Sequence, residues 1–405
     1  MKPCARCAAR AGPIMAPSSD PAERRLPFVA MNASDPSSPR ILHFVKGRGA
    51  GSNEASRFER AAGTRGAGPA ADPSHEDEYR DESEEAPWAR KTEVTAKTAR
   101  SLLRRNESPD LPFDQTINPY QGCEHGCIYC FARPTHAYLG LSPGLDFETK
   151  IFAKTNAAEV LRAELGRRGY VPALVMLGAS TDPYQPVERR LGITRAVLQV
   201  LAECRVPLTI TTKGGLVTRD IDLLGEMAAR GGLVRVYMSV ATLDPALSRT
   251  MDPRATAPAR RLAAIRALTD AGVPVGVFSS PMIPGLNDDE LEAILEAAAA
   301  AGATYASYSV LRLPLEVRDL FVEWLHAHFP ERAADVMAQV RAMRQGRDYD
   351  ADFGARMRGT GAYADALARR FHTARTRLAL KPLDTDFDTT QFRPPARDDG
   401  QASLF

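Results

Sequence analysis

The chain has 405 residues, 44% of them hydrophobic, enough to bury a full core in one large domain with appendages. Its 52 lysines and arginines nearly balance 50 aspartates and glutamates, a formal net charge of +2, so no global field demands a polyanionic partner; nucleic acid is neither required nor excluded. Six cysteines are too few for a disulfide scaffold, and three of them crowd into 123–130, which favours a metal in a reducing compartment. No run approaches the roughly 18 consecutive apolar residues that span a bilayer, and no compact apolar signal core opens the chain, so the expectation is a cytoplasmic protein with no membrane partner.

Residues 1–90 are dominated by Ala, Gly, Pro, Ser, Arg and Glu and close on the acidic run Glu76–Glu85, so a mostly disordered N-terminal extension is predicted. Met15 and Met31 are alternative starts, either of which would leave Cys4 and Cys7 outside the protein. The Gly-rich stretch Gly47–Gly51 is not followed by Lys-Ser/Thr and is read as part of the disorder rather than as a phosphate cradle.

From residue 111 the texture changes. Continuous apolar runs predict buried strands at Gln115–Asn118, Ala173–Leu177, Pro207–Thr212, Val234–Val240, Val275–Ser279 and Tyr305–Val310. Helical windows alternate with them near 156–168, 190–203, 219–230, 257–271, 288–301 and 315–328. Thr218, Asp220, Asp288 and Asp289 sit where N-terminal caps belong, and Gly272 and Gly302 sit where helices stop. Six βα units over 111–328 predict an α/β fold of (β/α)6 partial TIM-type barrel form. Two further helical windows, 332–344 and 356–377, predict a helical C-terminal cap over 329–380, followed by a loose tail, 381–405. Arg, Lys, Phe353, Tyr363 and Phe371 within that cap describe either a nucleic-acid surface or, since acidic residues are mixed in, a solvated helical face closing the barrel mouth.

The chemistry concentrates after the first strand, in Asn118-Pro-Tyr-Gln-Gly-Cys123-Glu-His-Gly-Cys127-Ile-Tyr-Cys130-Phe131. The spacing C-x3-C-x2-C, with Gly122 and Gly126 supplying backbone freedom, lets one loop wrap three thiolates around a compact centre. In a four-iron cubane, three thiolates leave one iron without a protein ligand. The alternative is a Cys3His zinc knot completed by His125, or a bare electron-transfer cluster; either would make the chain a non-enzymatic binding module. A loop at the C-terminal end of a barrel strand is where barrel active sites are built.

This loop, with Tyr129 before its last cysteine, resembles the radical S-adenosylmethionine superfamily. The segments Ala179–Glu188 and Ile210–Gly215 resemble its spore photoproduct lyase-related subgroup, and Lys46–Glu59 resembles the opening of an uncharacterised bacterial branch. The resemblance implies a 4Fe-4S cluster on Cys123, Cys127 and Cys130, S-adenosylmethionine chelated at the unique iron, and reductive cleavage to a 5'-deoxyadenosyl radical that abstracts hydrogen from a substrate. It also implies an external electron donor of flavodoxin or ferredoxin type. Candidate substrates are nucleic acids, peptides or small metabolites.

Ser180, Thr181 and Asp182 stand where the superfamily holds the methionine amino group, although Asp182-Pro183 also reads as a turn. Lys213 at the end of strand three and Ser239 in strand four are candidate cofactor contacts, as is Tyr129; a solvent-exposed Lys213 is the competing reading. Arg254 and the exit loop Pro281–Gly285 are expected on the same rim. Cys204 reads as a buried structural cysteine. A DNA-repair lyase of spore photoproduct lyase type is the second enzymatic reading, but the donor cysteine after strand two is absent, the window reading Gly178-Ala179-Ser180-Thr181, and Phe131 stands where that lyase has a tyrosine.

Overall fold

The structure, a computed structural model, describes residues 28–32, 35–42, 44, 46–58 and 91–396. Cys4, Cys7, Met15, the acidic run and the last nine residues of the expected tail lie outside the described residues. The chain divides into two compact units, Met1–Leu42 and His43–Phe405. In the first, β1 (Phe28–Asn32) and β2 (Asp35–Leu42) pair antiparallel.

The second unit is a mixed α/β fold built on a parallel sheet. Its strands are β3 (Glu93–Lys97), β4 (Arg104–Arg105), β5 (Gln115–Ile117), β6 (Tyr120–Gln121), β7 (Lys150–Lys154), β8 (Val175–Leu177), β9 (Leu208–Thr212), β10 (Val234–Ser239), β11 (Val275–Met282) and β12 (Tyr305–Val310). The larger sheet runs β12-β11-β10-β9-β8-β5-β4, parallel throughout except for β4, which lies antiparallel on β5. All six strands read from apolar runs are therefore present and adjacent. Their burial explains the pattern: in β10 only Arg235 is not buried, and covering both faces of a strand requires apolar residues at odd and even positions alike.

The helices return the chain between parallel strands. In Leu291–Ala300 the buried residues are Leu291, Ile294, Leu295 and Ala298, a single stripe at helical spacing, and Gly302 turns left-handed just beyond the helix. Gly272 does the same after Pro258–Asp270. The expected caps behave differently. Asp220 precedes Ile221–Ala229, yet its buried carboxylate serves Tyr184, Arg195 and Arg219 rather than the helix N–H groups. Asp288 opens a 3-10 turn and accepts from the Gly285 N–H and the Tyr363 hydroxyl. Helices Leu145–Thr149 and Pro245–Met251 fall outside the predicted windows, although Asp244-Pro245 carries the signature of the second: the Asp244 side chain accepts from Ala246 N–H at 2.7 Å.

After β12 come helices Val317–His328, Ala333–Ala342, Ala355–Arg358 and Ala362–Arg377. Phe321, Trp324 and Leu325 of the first pack in one apolar cluster with Ala50, Ile128 and Leu145, so the ground beneath the cysteine loop is partly built by this C-terminal region. The last helix is tied to Leu291–Ala300 by Arg370–Glu292 and Arg377–Glu296 pairs. No helix among the described residues is long and apolar enough to cross a membrane.

A smaller sheet, β3-β7-β6, had no counterpart in the sequence reading. It matters because β6 leads directly into Gly122 and Cys123.

Candidate functional site

The cysteine loop leaves β6 and is pinned by backbone hydrogen bonds from two directions. Cys123 N–H donates to Phe147 O (2.9 Å), Ile128 N–H donates to Met251 O (2.9 Å), and Arg254 N–H donates to His125 O (3.2 Å). Cys123 and Cys127 are buried, Cys130 is partly exposed, and all three are free thiols.

Under the loop lies a buried ion pair. Arg133 is wholly buried, and its five N–H donors meet five acceptors: Cys127 O, Pro143 O, Gly144 O, Gly126 O and the Glu148 carboxylate, the last at 2.5 Å. Glu148 is also wholly buried and accepts from the backbone N–H groups of Gly49 and Ala50, each at 2.9 Å. The Gly47–Gly51 stretch, expected to be disordered, is thus drawn over the cysteine loop. A Cβ on Gly49 would lie 1.8 Å from Gly126 O, so only glycine permits this approach, while Gly126 itself adopts a φ of +67°. The strap continues through Asn53, which exchanges hydrogen bonds with Asp146, and Arg57, which pairs with Glu316 at 3.1 Å. Sequence reasoning missed Arg133 and Glu148, which lie 15 residues apart on different elements, and the docking of the strap on Glu148, which spans about a hundred residues.

The residues singled out from the sequence fall into two connected groups and one outlier. Asp182 gathers the first: His125 Nδ1 lies 3.3 Å away, Thr212 Oγ1 donates at 2.6 Å, and the N–H groups of Lys213 and Tyr184 donate at 2.7 and 2.9 Å. Burial works against ionisation of Asp182, but the charge of His125, with hydrogen bonds from His125, Thr212 and Lys213, holds the carboxyl at about 2. Both its oxygens are therefore engaged by the protein. Thr181 donates its hydroxyl to Tyr120 O (3.1 Å), and the N–H groups of Ser180 and Thr181 donate to Asn118 Oδ1 (2.8 and 3.1 Å).

The second group centres on Tyr129, whose hydroxyl donates to Asp252 Oδ2 (3.1 Å). Asp252 in turn pairs with the buried Arg261 (2.9 Å), which also donates to Ser239 O (3.1 Å). Lys213 Nζ stands 5.6 Å from the Tyr129 ring centroid and joins the two groups; it is neither fully exposed nor ion-paired among the described residues. Ser239 is the outlier, its hydroxyl donating to Ser280 O (3.3 Å) across to β11. Arg254 reaches Glu124 at 3.1 Å beside Cys123. In the exit loop, the wholly buried Asn287 ties Pro281 O and Ala241 O together.

The donor set itself is informative. Burial first, then the charges of Asp182, Cys127 and Cys130, push the Cys123 thiol well above its ordinary value. Burial likewise pushes Cys127 up to about 12, against the pull of Lys213. Cys123 and Cys127, raised in this way, ionise readily only when cations arrive, which fits thiolate ligation of an iron cluster. His125 is turned to Asp182.

Comparisons with known proteins give concordant matches. The family model described as the radical SAM superfamily matches residues 117–298. The uncharacterized protein Rv2578c of Mycobacterium tuberculosis is 42% identical over 241 residues, covering 59% of this chain and 70% of its own length. The uncharacterized protein MJ0683 of Methanocaldococcus jannaschii is 24% identical over 200 residues, covering 49% and 71%. Among solved structures, spore photoproduct lyase complexed with dinucleoside spore photoproduct superposes with a TM-score of 0.51 at 14% identity, over 71% of this chain and 81% of that one, a likeness of fold.

Proposed function

The chain belongs to the radical SAM superfamily of enzymes, which use a 4Fe-4S cluster and S-adenosylmethionine, and on that premise we propose that Cys123, Cys127 and Cys130 are its cluster ligands. The reaction we infer is hydrogen abstraction from a second substrate. When bound, the cluster and S-adenosylmethionine supply the one-electron cleavage that yields a 5'-deoxyadenosyl radical. The observation carrying this reading is that Cys123, Cys127 and Cys130 share one loop pinned by backbone hydrogen bonds to Phe147 and Met251, inside the segment the radical SAM family model matches.

The remaining residues have supporting tasks. Arg133 and Glu148 fix the loop from below, and the Gly47–Gly51 strap excludes water from it. Tyr129, held by Asp252, keeps an apolar wall beside Cys127. Asp182 acts as a positioning residue, holding His125 and the Lys213 backbone, so that Lys213 Nζ is offered to the carboxylate of S-adenosylmethionine. Ser180 and Thr181 present backbone and hydroxyl groups to its amino end, and Ser239 contributes at the β10 edge through Ser280.

We read the six parallel strands as a (β/α)6 partial barrel over 111–328, the helices of 329–380 as its cap, and residues 1–90, apart from the docked strap, as an extension. A reducing compartment, the cytoplasm, suits the free thiols, and an electron donor of flavodoxin or ferredoxin type is the expected partner. Dimer reversal of spore photoproduct lyase type is disfavoured: Ser180 and Thr181 stand where a donor cysteine would be needed, and Phe131 follows Cys130. The zinc-module reading is disfavoured by the match of residues 117–298 to the radical SAM family model.

Anaerobic reconstitution tests the proposal directly. About four irons per chain are expected, with slow 5'-deoxyadenosine release in dithionite and S-adenosylmethionine. Cys127→Ala abolishes that release; release that persists in the variant removes Cys127 from the ligand set.

A further inference from the structure

The segment after β12 brings an arginine to the cysteine loop without giving it an acid. Arg312 lies two residues past the end of β12, its guanidinium 4.7 Å from the ring centroid of Phe131, the residue that follows Cys130. Its Nη1 reaches only the Met357 thioether, at 3.6 Å, and its Nε is buried with no hydrogen-bond partner. Among the described residues Arg312 makes no ion pair. Neighbouring Arg356 does, holding Asp110 in a two-pronged pair at 2.7 and 2.5 Å.

The surroundings of Arg312 add positive charge. Arg344, 1% exposed, donates to the carbonyls of Leu311, Ala355 and Arg356, also leaves its Nε buried and unpartnered, and lies close enough to Arg312 for their charges to repel. Arg358 stands 4.1 Å from the Tyr308 ring centroid and donates to Tyr308 O. Arg312 and Arg344 therefore share the carboxyl end of β12, with Arg358 on Tyr308 and Ser307; they meet carbonyls, rings, a hydroxyl and a thioether, and the carboxylate whose charge reaches Arg344, Asp350, is already paired with Arg347. Cations rarely approach one another without an anion to share, and a guanidinium resting on an aromatic ring keeps its N–H edge free for a two-oxygen acceptor.

We propose that Arg312 is an oxyanion-binding residue of the substrate site, taking a carboxylate or phosphate of the substrate while Phe131, still 45% exposed, supports the guanidinium from the side of Cys130. As a substrate site it rests on the function proposed above; as an anion site it stands on this geometry alone. The substrate class that follows is an acidic molecule, anchored through its charged group so that a neighbouring carbon faces the cysteine loop.

The test is calorimetric titration of the anaerobically reconstituted full chain with malonate and, separately, with inorganic phosphate. One of the two binds the wild type, identifying the anion as carboxylate or phosphate, and Arg312→Gln weakens that binding tenfold or more. Phe131→Leu, which alters a largely exposed ring and spares the core, weakens it severalfold and decides the matter if the arginine variant fails to fold. Equal affinity in the wild type and the folded variants, or no binding of either anion by the wild type at about 10 mM, overturns the proposal. Iron analysis of the same sample separates the two readings: anion binding through Arg312 in a chain that takes up no four-iron cluster overturns the proposed function and leaves the anion site standing.

Discussion

Glu148 and Arg133 meet at 2.5 Å with neither side chain exposed, and between them they hold both the cysteine loop and the strap that crosses it. A buried pair of this kind is costly to break one-sidedly, because the surviving charge has no water to turn to.

Glu148→Gln is expected to destabilise the chain by about 3 kcal/mol. The two carboxylate oxygens accept from Gly49, Ala50 and Arg133, and an amide turns one of those acceptors into a donor facing an N–H. Chemical denaturation reads the loss, and iron retention after reconstitution is expected to fall with it. A variant as stable as the wild type would contradict the pairing.

Gly49→Ala is expected to lift the strap off the loop. Both atoms in the clash, the added Cβ and Gly126 O at 1.8 Å, are fixed to backbone, so no side chain can swing aside. The cost is about 1–3 kcal/mol, and cluster absorbance is expected to bleach faster in air than in the wild type. An unchanged bleaching rate would show that the strap does not shield the loop.

Lys154 predicts an alkaline signature. Burial, with help from Arg104 and Lys97, lowers it from 10.5 to about 8 while its Nζ donates to Asn118 O. Between about 8 and 10.5 the unfolded chain holds a proton that the folded chain has released, so this residue makes stability rise with pH across that window. Cysteines and tyrosines with raised values pull the other way, so the readout is a difference. Lys154→Met is expected to gain on the wild type near neutrality and to lose that advantage as pH approaches 10.5, followed by urea midpoints at each pH.

Cys204→Ala separates a structural thiol from the proposed ligands. Cys204 is wholly buried in the main core at the end of Ile193–Glu203, and its truncation costs about 1 kcal/mol. Iron content is expected to stay at the wild-type value, whereas Cys130→Ala lowers it. Iron loss in Cys204→Ala would place that thiol at the cluster.

The parts of this protein legible in its sequence are those governed by local repetition. The six strands of the parallel sheet announce themselves through unbroken apolar runs, and β12 spans the predicted Tyr305–Val310. Cys123, Cys127 and Cys130 are readable because their short spacing keeps all three thiols on one loop. What escaped depends on partners far apart in the chain. Arg133 resembles any helix-flanking arginine until Glu148 and the carbonyls of the loop surround it, and Gly47–Gly51 resembles a linker until Gly126 lies beneath it. The β3-β7-β6 sheet escaped for a related reason: β6 has two residues and β3 alternates without a strong apolar face. The engagement of Asp182 by Thr212 and His125 joins three segments in space that no local pattern relates.

The contact between Gly49 and Glu148 joins positions 99 apart, and the earlier of the two leaves the ribosome first. Until the later one follows, the strap has nothing to dock on and the three thiols stay open from that side. Folding order therefore sets the sequence of contacts: the carboxylate that steadies the finished loop is synthesised after the strap it holds, and Gly49 and Ala50 close over the loop only after Glu148 has emerged.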